Sequence, residues 1–301
     1  MKAECPAITA ADTRISRIRD WMRLVKLPIS VMNALAVVAG YALCSPVVGP
    51  GVIPGALGVG LLAGGCGALN NYQDRRMDAC FPRTSRRPLP RRAILPAPAL
   101  ACAALLIAGG VIGLWVSRPG PYAAGLGIAA VFLYNGLYTP LKYKTVLAVI
   151  PGAMCGMLPP LIGWVSAGGG AQPSHILLLM VIIGVWQLPH FWLILLSDAP
   201  FYRKAAMPNM LHLFSIRQLH RLLFIWVLAF VSLALFLPVI GIVTNGWLGG
   251  LLVCHLVLVG VLSGSILRLR KRTGRPYALL FNWLNSSIGM TLLVISLDRW
   301  V

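Results

Sequence analysis

Charged residues are scarce in this sequence, and acidic residues are the scarcest. Lys, Arg, Asp and Glu make up 11% of the 301 residues, and only seven residues are acidic. Hydrophobic residues make up 58%, and the mean hydropathy is +0.81. A composition this apolar excludes a soluble domain, because a soluble domain of this size does not need so much apolar surface. We therefore expect a protein that lies in a membrane.

Paired cysteines, alternating strands and a signal peptide are also missing. The seven cysteines show no paired spacing, which argues against disulfides or a cysteine metal site and indicates small buried apolar side chains. A porin-like barrel would need alternating strands of about ten residues. No signal-peptide apolar segment precedes residue 27.

Long apolar stretches are abundant instead. Nine of them are about 20 residues long, the length of a membrane-spanning helix. They cover residues 28–47, 52–70, 94–116, 121–139, 146–166, 175–196, 222–243, 247–267 and 278–297. In lipid each segment must satisfy its own backbone groups, so we predict an all-α polytopic protein with nine transmembrane helices around a central cavity.

The predicted domain covers residues 28–301 and follows an N-terminal tail over residues 1–27. Within that tail apolar residues alternate with arginines, which indicates an interfacial amphipathic helix. Its acidic residues Glu4, Asp12 and Asp20 weigh against a mitochondrial presequence.

The net charge of +19 is spread over alternate loops. Of the 26 basic residues, 24 lie in the tail or in the loops after the second, fourth, sixth and eighth spans; only Arg118 and Arg299 lie on the other side. The positive-inside rule then predicts a cytoplasmic N-terminus and an outer C-terminus. We expect the bacterial inner membrane rather than the mitochondrial one, and no nucleic-acid partner.

A polar stripe ends the second apolar stretch. Asn70, Asp74 and Asp78 are spaced four apart, so they share one face of a helix. Two carboxylates on one face suit Mg²⁺, which also binds substrate phosphates. Seven arginines follow within eighteen residues and suit phosphate oxygens. The alternative is a solvated helix end with intrahelical Asp–Arg pairs.

Two further spans carry unusual residues. The pair Pro159 and Pro160 predicts a kink or break in the fifth span, either lining a cavity or serving packing alone. The sixth span carries Gln187 and His190 beside a proline. Ionisable groups within a span are candidates for a functional site, although a hydrogen-bonded core histidine is the alternative. Asp198, at the inner end, is either a second metal ligand or a helix-end charge.

Together these motifs resemble the UbiA-type intramembrane prenyltransferases over nearly the whole chain. The likeness is carried by Leu24 to Pro28; Asn70, Asp74 and Asp78 with Arg83, Thr84, Arg87, Pro88 and Leu89; Tyr138 to Lys142; Pro159 to Trp164; and Gln187 to Phe191. The segment Tyr202 to Pro208 matches loosely. Two places depart from the family pattern: Tyr143 stands where arginine is usual, and Pro200 and Phe201 stand where acids are usual.

The resemblance implies an allylic substitution with Mg²⁺ as cofactor. It is greatest to the family members that farnesylate heme, which implies farnesyl diphosphate and heme B as substrates, addition of water to the heme vinyl group, and a heme A synthase as a partner. The implied site comprises metal ligands Asn70, Asp74 and Asp78; catalytic Asp74, Asp78 and Lys142; diphosphate ligands Arg83, Arg87 and Lys142; heme contacts His190, Gln187 and Tyr138; and the unassigned candidates Asn33, Asn71, Asp198 and Tyr202.

Two alternatives stay open at this point. The same chemistry could serve another aromatic acceptor, such as a quinone precursor or a chlorophyll. The protein could instead be a transporter or a non-catalytic heme-binding protein. A transporter should carry charge near mid-membrane and often shows inverted repeats, whereas here the acids cluster at one face and no repeat is evident.

Overall fold

The structure is a computed structural model that describes residues 10–45, 47–169, 173–204, 207–266 and 274–299. Every regular element within these ranges is helical, and nine helical segments are long and apolar enough to span a membrane. The predicted class and number of spans are therefore confirmed. Residues 1–9 of the tail and residues 267–273 of the loop after the eighth span lie outside the described residues, as do the predictions made for them.

The chain begins with α1 (Ala10–Leu24), which precedes the first span. The first three spans are α2 (Leu27–Cys44), α3 (Val52–Asp78) and α4 (Pro96–Val116). The fourth span consists of α5 (Gly120–Val131), a π-helical segment (Phe132–Tyr138) and α6 (Thr139–Leu141). The fifth span consists of a 3-10 turn (Val146–Ala148) and α7 (Val149–Ser166), and the sixth is α8 (Pro173–Ser197). Two short helices, α9 (Ala199–Lys204) and α10 (Met210–Leu213), lead to the last spans, α11 (Ile216–Val239), α12 (Gly246–Ile266) and α13 (Gly274–Leu297).

Two helix ends differ from the predicted spans more than the others do. The second span was predicted to end at residue 70, but α3 continues to Asp78 and carries the whole polar stripe. The seventh span was predicted to begin at residue 222, but α11 begins at Ile216. There the Ser215 side chain and Gln218 form a capping box, which satisfies backbone donors that a helix start otherwise leaves free.

The sequence predicts a kink or a break at Pro159 and Pro160; the break is wrong, and the kink stays a prediction. Helix α7 runs unbroken from Val149 to Ser166 with both prolines inside it. Neighbouring helices in a membrane bundle can hold such a segment helical although two backbone donors are missing. The irregular segment lies instead at Phe132–Tyr138, where a π-helix carries the buried Asn135.

Glycines permit a close crossing between α2 and α7. A Cβ on Gly40 would stand 1.9 Å from the Pro160 carbonyl oxygen, and a Cβ on Gly163 would stand 1.9 Å from the Val37 carbonyl oxygen. Only glycine fits at both positions, so the two backbones touch. This contact fixes α7 against α2 beside the proline pair.

The core of the bundle centres on α2 and α8. Helix α2 contacts α3, α7 and α13, and α8 contacts α7, α11 and α13. Helix α3 packs mainly on α4 and also reaches α6 and the π-helical segment. The C-terminal end of α3 therefore lies beside the segment that ends at Lys142, which brings the predicted site residues from distant parts of the chain together.

Candidate active site

The polar stripe of α3 is buried within the protein. Asn70, Asp74 and Asp78 are 3%, 5% and 7% exposed. They lie on one face of a single helix at its C-terminal end, as the spacing predicts. Two carboxylates this deeply buried need partners of opposite charge, since an isolated buried charge is costly.

Asp74 receives three hydrogen bonds from side chains. The Lys142 ammonium forms an ion pair with its Oδ2, and the Asn70 amide donates to the same oxygen over 3.0 Å. The Tyr143 hydroxyl donates to Oδ1 over 2.5 Å. Burial raises the pKa of Tyr143, and the bond to Asp74 raises it further, so the hydroxyl keeps its proton.

Asp78 pairs with the arginine-rich loop that follows α3. Its Oδ2 accepts from the Arg87 guanidinium over 2.7 Å. The Thr84 hydroxyl donates to the Asp78 backbone carbonyl over 2.9 Å, which folds the loop back onto the helix end. Thus each carboxylate holds a cation from a different segment, and the intrahelical Asp–Arg pairs of the alternative reading do not form here.

Lys26 reaches the stripe from the junction of α1 and α2. Its ammonium donates to Asn70 Oδ1 over 2.7 Å and to the Tyr134 hydroxyl over 3.1 Å. Burial lowers the pKa of Lys26 from 10.5 to about 7, and the charges of Arg87 and Lys142 also lower it. Lys26 belongs to the Leu24 to Pro28 motif, but sequence reasoning assigned it no role in the site.

The orientation of Asn70 bears on its predicted role as a metal ligand. Its amide nitrogen donates to Asp74 and to Thr139 Oγ1, each over 3.0 Å, while its oxygen accepts from Lys26. A metal ion would need that oxygen, so ligation requires the amide to turn away from Lys26. The role of Asn70 stays a prediction.

Arg83 and Asp198 meet away from the carboxylate pair. Arg83 Nε donates to Asp198 Oδ2 over 2.8 Å, and the rings of Phe81 and Tyr202 lie 5.2 Å apart. These contacts join the loop after α3 to the end of α8 and to α9. The structure therefore places Asp198 beside Arg83 and Tyr202 beside Phe81, and neither forms a hydrogen bond or ion pair with Asp74 or Asp78.

An aromatic series connects this cluster to the predicted heme contacts. The Lys142 ammonium lies 5.6 Å from the Tyr138 ring centroid, and Tyr138 lies 5.9 Å from Phe191. Phe191 in turn lies 5.7 Å from His190 in an edge-to-face arrangement. Gln187 is turned elsewhere: its amide donates to the Ala153 and Ile183 carbonyls.

The remaining two candidates serve the backbone. The Asn33 amide donates to the Ile29 carbonyl of its own helix. The Asn71 amide donates to the Leu24 carbonyl over 2.7 Å and so ties the end of α1 to α3. Neither contacts the carboxylates.

The donor set fits a small hard cation. Mg²⁺ takes one or two carboxylates and completes its shell with water and substrate phosphates. Asp74 and Asp78 offer those carboxylates on one buried face. In the part of the chain that the structure describes, no group of three or more His, Cys, Asp or Glu residues is placed to hold a metal ion.

Comparison with known proteins gives one consistent family. A family model described as the UbiA prenyltransferase family matches residues 33–287. The chain is 34% identical over 264 residues to a protoheme IX farnesyltransferase of Nitratidesulfovibrio vulgaris, covering 85% of this chain and 88% of the relative. It is 33% identical over 289 residues to the protoheme IX farnesyltransferase of Oleidesulfovibrio alaskensis, covering 94% and 98%.

Solved structures share the fold at low sequence identity. A digeranylgeranylglyceryl phosphate synthase is 14% identical with a TM-score of 0.70, covering 94% of this chain and 99% of the other. A UbiA homolog from Archaeoglobus fulgidus, bound to GPP and Mg²⁺, is 15% identical with a TM-score of 0.66, covering 92% and 99%. At such identities the likeness establishes the fold alone.

Proposed function

The chain belongs to the UbiA prenyltransferase family, and from that premise we propose that it transfers the farnesyl group of farnesyl diphosphate to a vinyl group of protoheme IX. It is an integral membrane prenyltransferase. The acceptor and the prenyl donor are proposed because the relatives named above are protoheme IX farnesyltransferases. We place it in the bacterial inner membrane with the basic loops on the cytoplasmic side, where a heme A synthase is the expected consumer of the product.

The observation that carries the proposal is the buried pair Asp74 and Asp78, each bonded to a cation from another segment. Asp74 and Asp78 would hold Mg²⁺, which would supply positive charge to the departing diphosphate. Lys142 and Arg87, which neutralise the carboxylates in this structure, turn to phosphate oxygens when the substrate binds. Arg83 joins them from the loop after α3.

The proposed reaction forms one carbon–carbon bond and releases diphosphate. The bond between farnesyl C1 and the diphosphate oxygen breaks, and the cations at the inner end of α3 hold the leaving diphosphate. The ring faces of Tyr134 and Tyr138, centroids 5.5 Å apart, suit the allylic cation that develops. The terminal carbon of the heme vinyl group forms the new bond to C1. Water then adds to the other vinyl carbon, and one proton is released.

Product analysis tests this proposal. The purified protein in lipid nanodiscs is incubated with Mg²⁺, farnesyl diphosphate and heme B, and the porphyrin products are analysed by mass. We expect hydroxyethylfarnesyl heme from the parent protein and none from Asp74→Asn.

The acceptor needs its own comparison. An aromatic quinone precursor and a chlorophyll are supplied in parallel reactions under the same conditions. Prenylation of either one in preference to heme would overturn the acceptor assignment and leave the prenyltransferase assignment intact.

A further inference from the structure

Helices α8 and α13 are joined at mid-span by polar contacts around His190. His190 Nδ1 lies 2.9 Å from Asn285 Oδ1. One turn earlier on α8, the Trp186 indole N–H donates to the Leu284 carbonyl over 3.0 Å. Two bonds therefore fix the position of α13 relative to α8 at this level, and the inference drawn from them rests on the proposed function.

The orientation of Asn285 follows from its second bond. Its Nδ2 donates to the Phe281 carbonyl over 2.6 Å. A carbonyl oxygen only accepts, so the nitrogen of Asn285 must face Phe281, and a flipped amide would set two acceptors against each other. The Asn285 oxygen therefore faces His190.

This orientation determines which nitrogen of His190 carries the proton. Asn285 Oδ1 is an acceptor, so Nδ1 of a neutral His190 must be the donor. Nε2 is then left with a free lone pair. Among the residues that the structure describes, none forms a hydrogen bond to Nε2.

The surroundings of the ring are aromatic. Trp186 and Phe281 each lie 4.9 Å from the His190 ring centroid, and Phe191 meets its edge at 5.7 Å. Such surroundings suit the flat apolar face of a porphyrin. Phe191 also contacts Tyr138, whose ring lies beside Lys142 of the carboxylate cluster. His190 is thus linked to the carboxylate cluster through a continuous series of ring contacts.

We propose that Asn285 is a positioning residue that holds His190 as the Nδ1–H tautomer and so presents Nε2 as the axial ligand to the iron of the acceptor heme. Histidine is a common heme ligand. A ligating histidine almost always donates its other N–H to an oxygen, and that partner fixes the ring orientation. Asn285 is such a partner, supplied by a helix with no other predicted site residue.

Heme titration of the full chain in lipid nanodiscs tests the proposal. Ferric heme B is added without farnesyl diphosphate, and the absorption spectrum reports the axial ligand. We expect a histidine-ligated spectrum for the parent and its loss in His190→Ala. Asn285→Leu should weaken heme binding about 10–100-fold, the usual cost of removing the partner that accepts the other N–H of a ligating histidine.

Asn282→Leu is the matched control. Asn282 lies on α13 three residues before Asn285, its side chain is exposed, and it does not contact His190. Its variant should bind heme with the parent spectrum and affinity. Equal heme binding by Asn285→Leu and Asn282→Leu would overturn the proposal.

A second variant covers the case in which Asn285→Leu does not fold. Asn285→Asp keeps an acceptor oxygen in place, so it should retain the histidine-ligated spectrum. Its carboxylate takes a greater share of the Nδ1 proton and makes the imidazole a stronger donor, which should shift the heme reduction potential to a more negative value. A potential identical to that of the parent would contradict the proposed contact.

The two proposals fail in different ways. If the parent binds heme through His190 but forms no farnesylated product, the proposed function fails and the role of Asn285 stands. If it forms the product while His190→Ala keeps the parent heme spectrum, the role of Asn285 fails and the function stands.

Discussion

Three side chains converge on Asp74: the Lys142 ammonium and the Tyr143 hydroxyl from the turn after α6, and the Asn70 amide from α3 itself. Asp78 has a cation partner of its own in Arg87. The two carboxylates therefore sit in separate hydrogen-bond networks, although they lie one turn apart on one helix. Substitutions in the two networks should therefore distinguish three contributions to activity: the charge of a carboxylate, its orientation and its binding of Mg²⁺.

Asp74→Asn removes the negative charge and keeps the size of the side chain. We expect turnover to fall at least about 100-fold, as for the loss of a group that stabilises developing charge. The measurement is the rate of prenylated product at saturating farnesyl diphosphate. Asp20→Asn is the control, because Asp20 is also a buried carboxylate with an arginine partner, Arg91, but lies on α1. Near-parental activity in Asp74→Asn would remove the metal role.

Tyr143→Phe tests the hydroxyl that bonds Asp74 Oδ1. We expect about a tenfold loss of activity and a higher Mg²⁺ requirement, because the carboxylate loses a partner that orients it. A Mg²⁺ titration of the prenylation rate measures both effects. Tyr122→Phe, at an exposed tyrosine of α5, should change neither. If both variants behave alike, Tyr143 has no part in metal binding.

The sequence identifies the acidic residues of the site but not the side chains that form hydrogen bonds with them. The i, i+4, i+8 spacing predicts that Asn70, Asp74 and Asp78 share a face, since helix geometry is local. The bond from Tyr143 joins residues 69 positions apart and depends on how the turn after α6 packs against α3. The only signal for it was the unusual tyrosine after Lys142, and its meaning needed the structure.

At the crossing of α2 and α7 the two backbones are in direct contact. Gly163→Ala would force a methyl group against the Val37 carbonyl. We expect a loss of about 1–3 kcal/mol in stability, the usual cost of overpacking, seen as a lower thermal unfolding midpoint in detergent. Gly250→Ala on α12 is the control, because nothing lies within 4 Å of the added Cβ. Equal midpoints for the two variants would mean that the crossing is loose.

The contact between Arg83 and Asp198 joins two elements that the sequence separates by 115 positions. A double-mutant cycle with Arg83→Gln and Asp198→Asn, read as the KM for farnesyl diphosphate, should show coupling of about 0.5–3 kcal/mol. Thermal stability should change little, because an exposed ion pair contributes little to it. Additive effects on KM, with Asp198→Asn as damaging as Asp74→Asn, would instead make Asp198 a direct ligand.

The sequence predicts that the nine spanning helices exist, but it does not predict their local irregularities. Nine apolar runs identify the spans because a membrane-crossing helix needs about 20 apolar residues. Because proline lacks a backbone donor, the pair at 159 and 160 predicts a helix break. Yet α7 stays helical through both prolines where it packs on α2. The π-helix at Phe132–Tyr138 has no comparable sequence signal, since one wider turn leaves the apolar pattern unchanged.

For the whole molecule, the loop charges predict the orientation in the membrane. Cys80 is exposed just after α3, and Arg118 is exposed between α4 and α5. In a background without other cysteines, a membrane-impermeant maleimide should label Cys80 only from the cytoplasmic side and Arg118→Cys only from the outer side. Labelling of both from one side would contradict the topology. The arrangement of the helices alone does not show which loops face the cytoplasm, so the labelling experiment tests the orientation in the membrane directly.

The cations that hold Asp74 and Asp78 have a thermodynamic consequence for substrate entry. Mg²⁺ alone would displace Lys142 and Arg87 and leave these two positive groups without partners. Diphosphate alone would draw the same two cations away and leave both carboxylates without partners. Arriving together, the metal and the diphosphate exchange partners with the protein and leave no charge unpaired. The two should therefore bind with positive cooperativity, each raising the affinity of the other by the same factor.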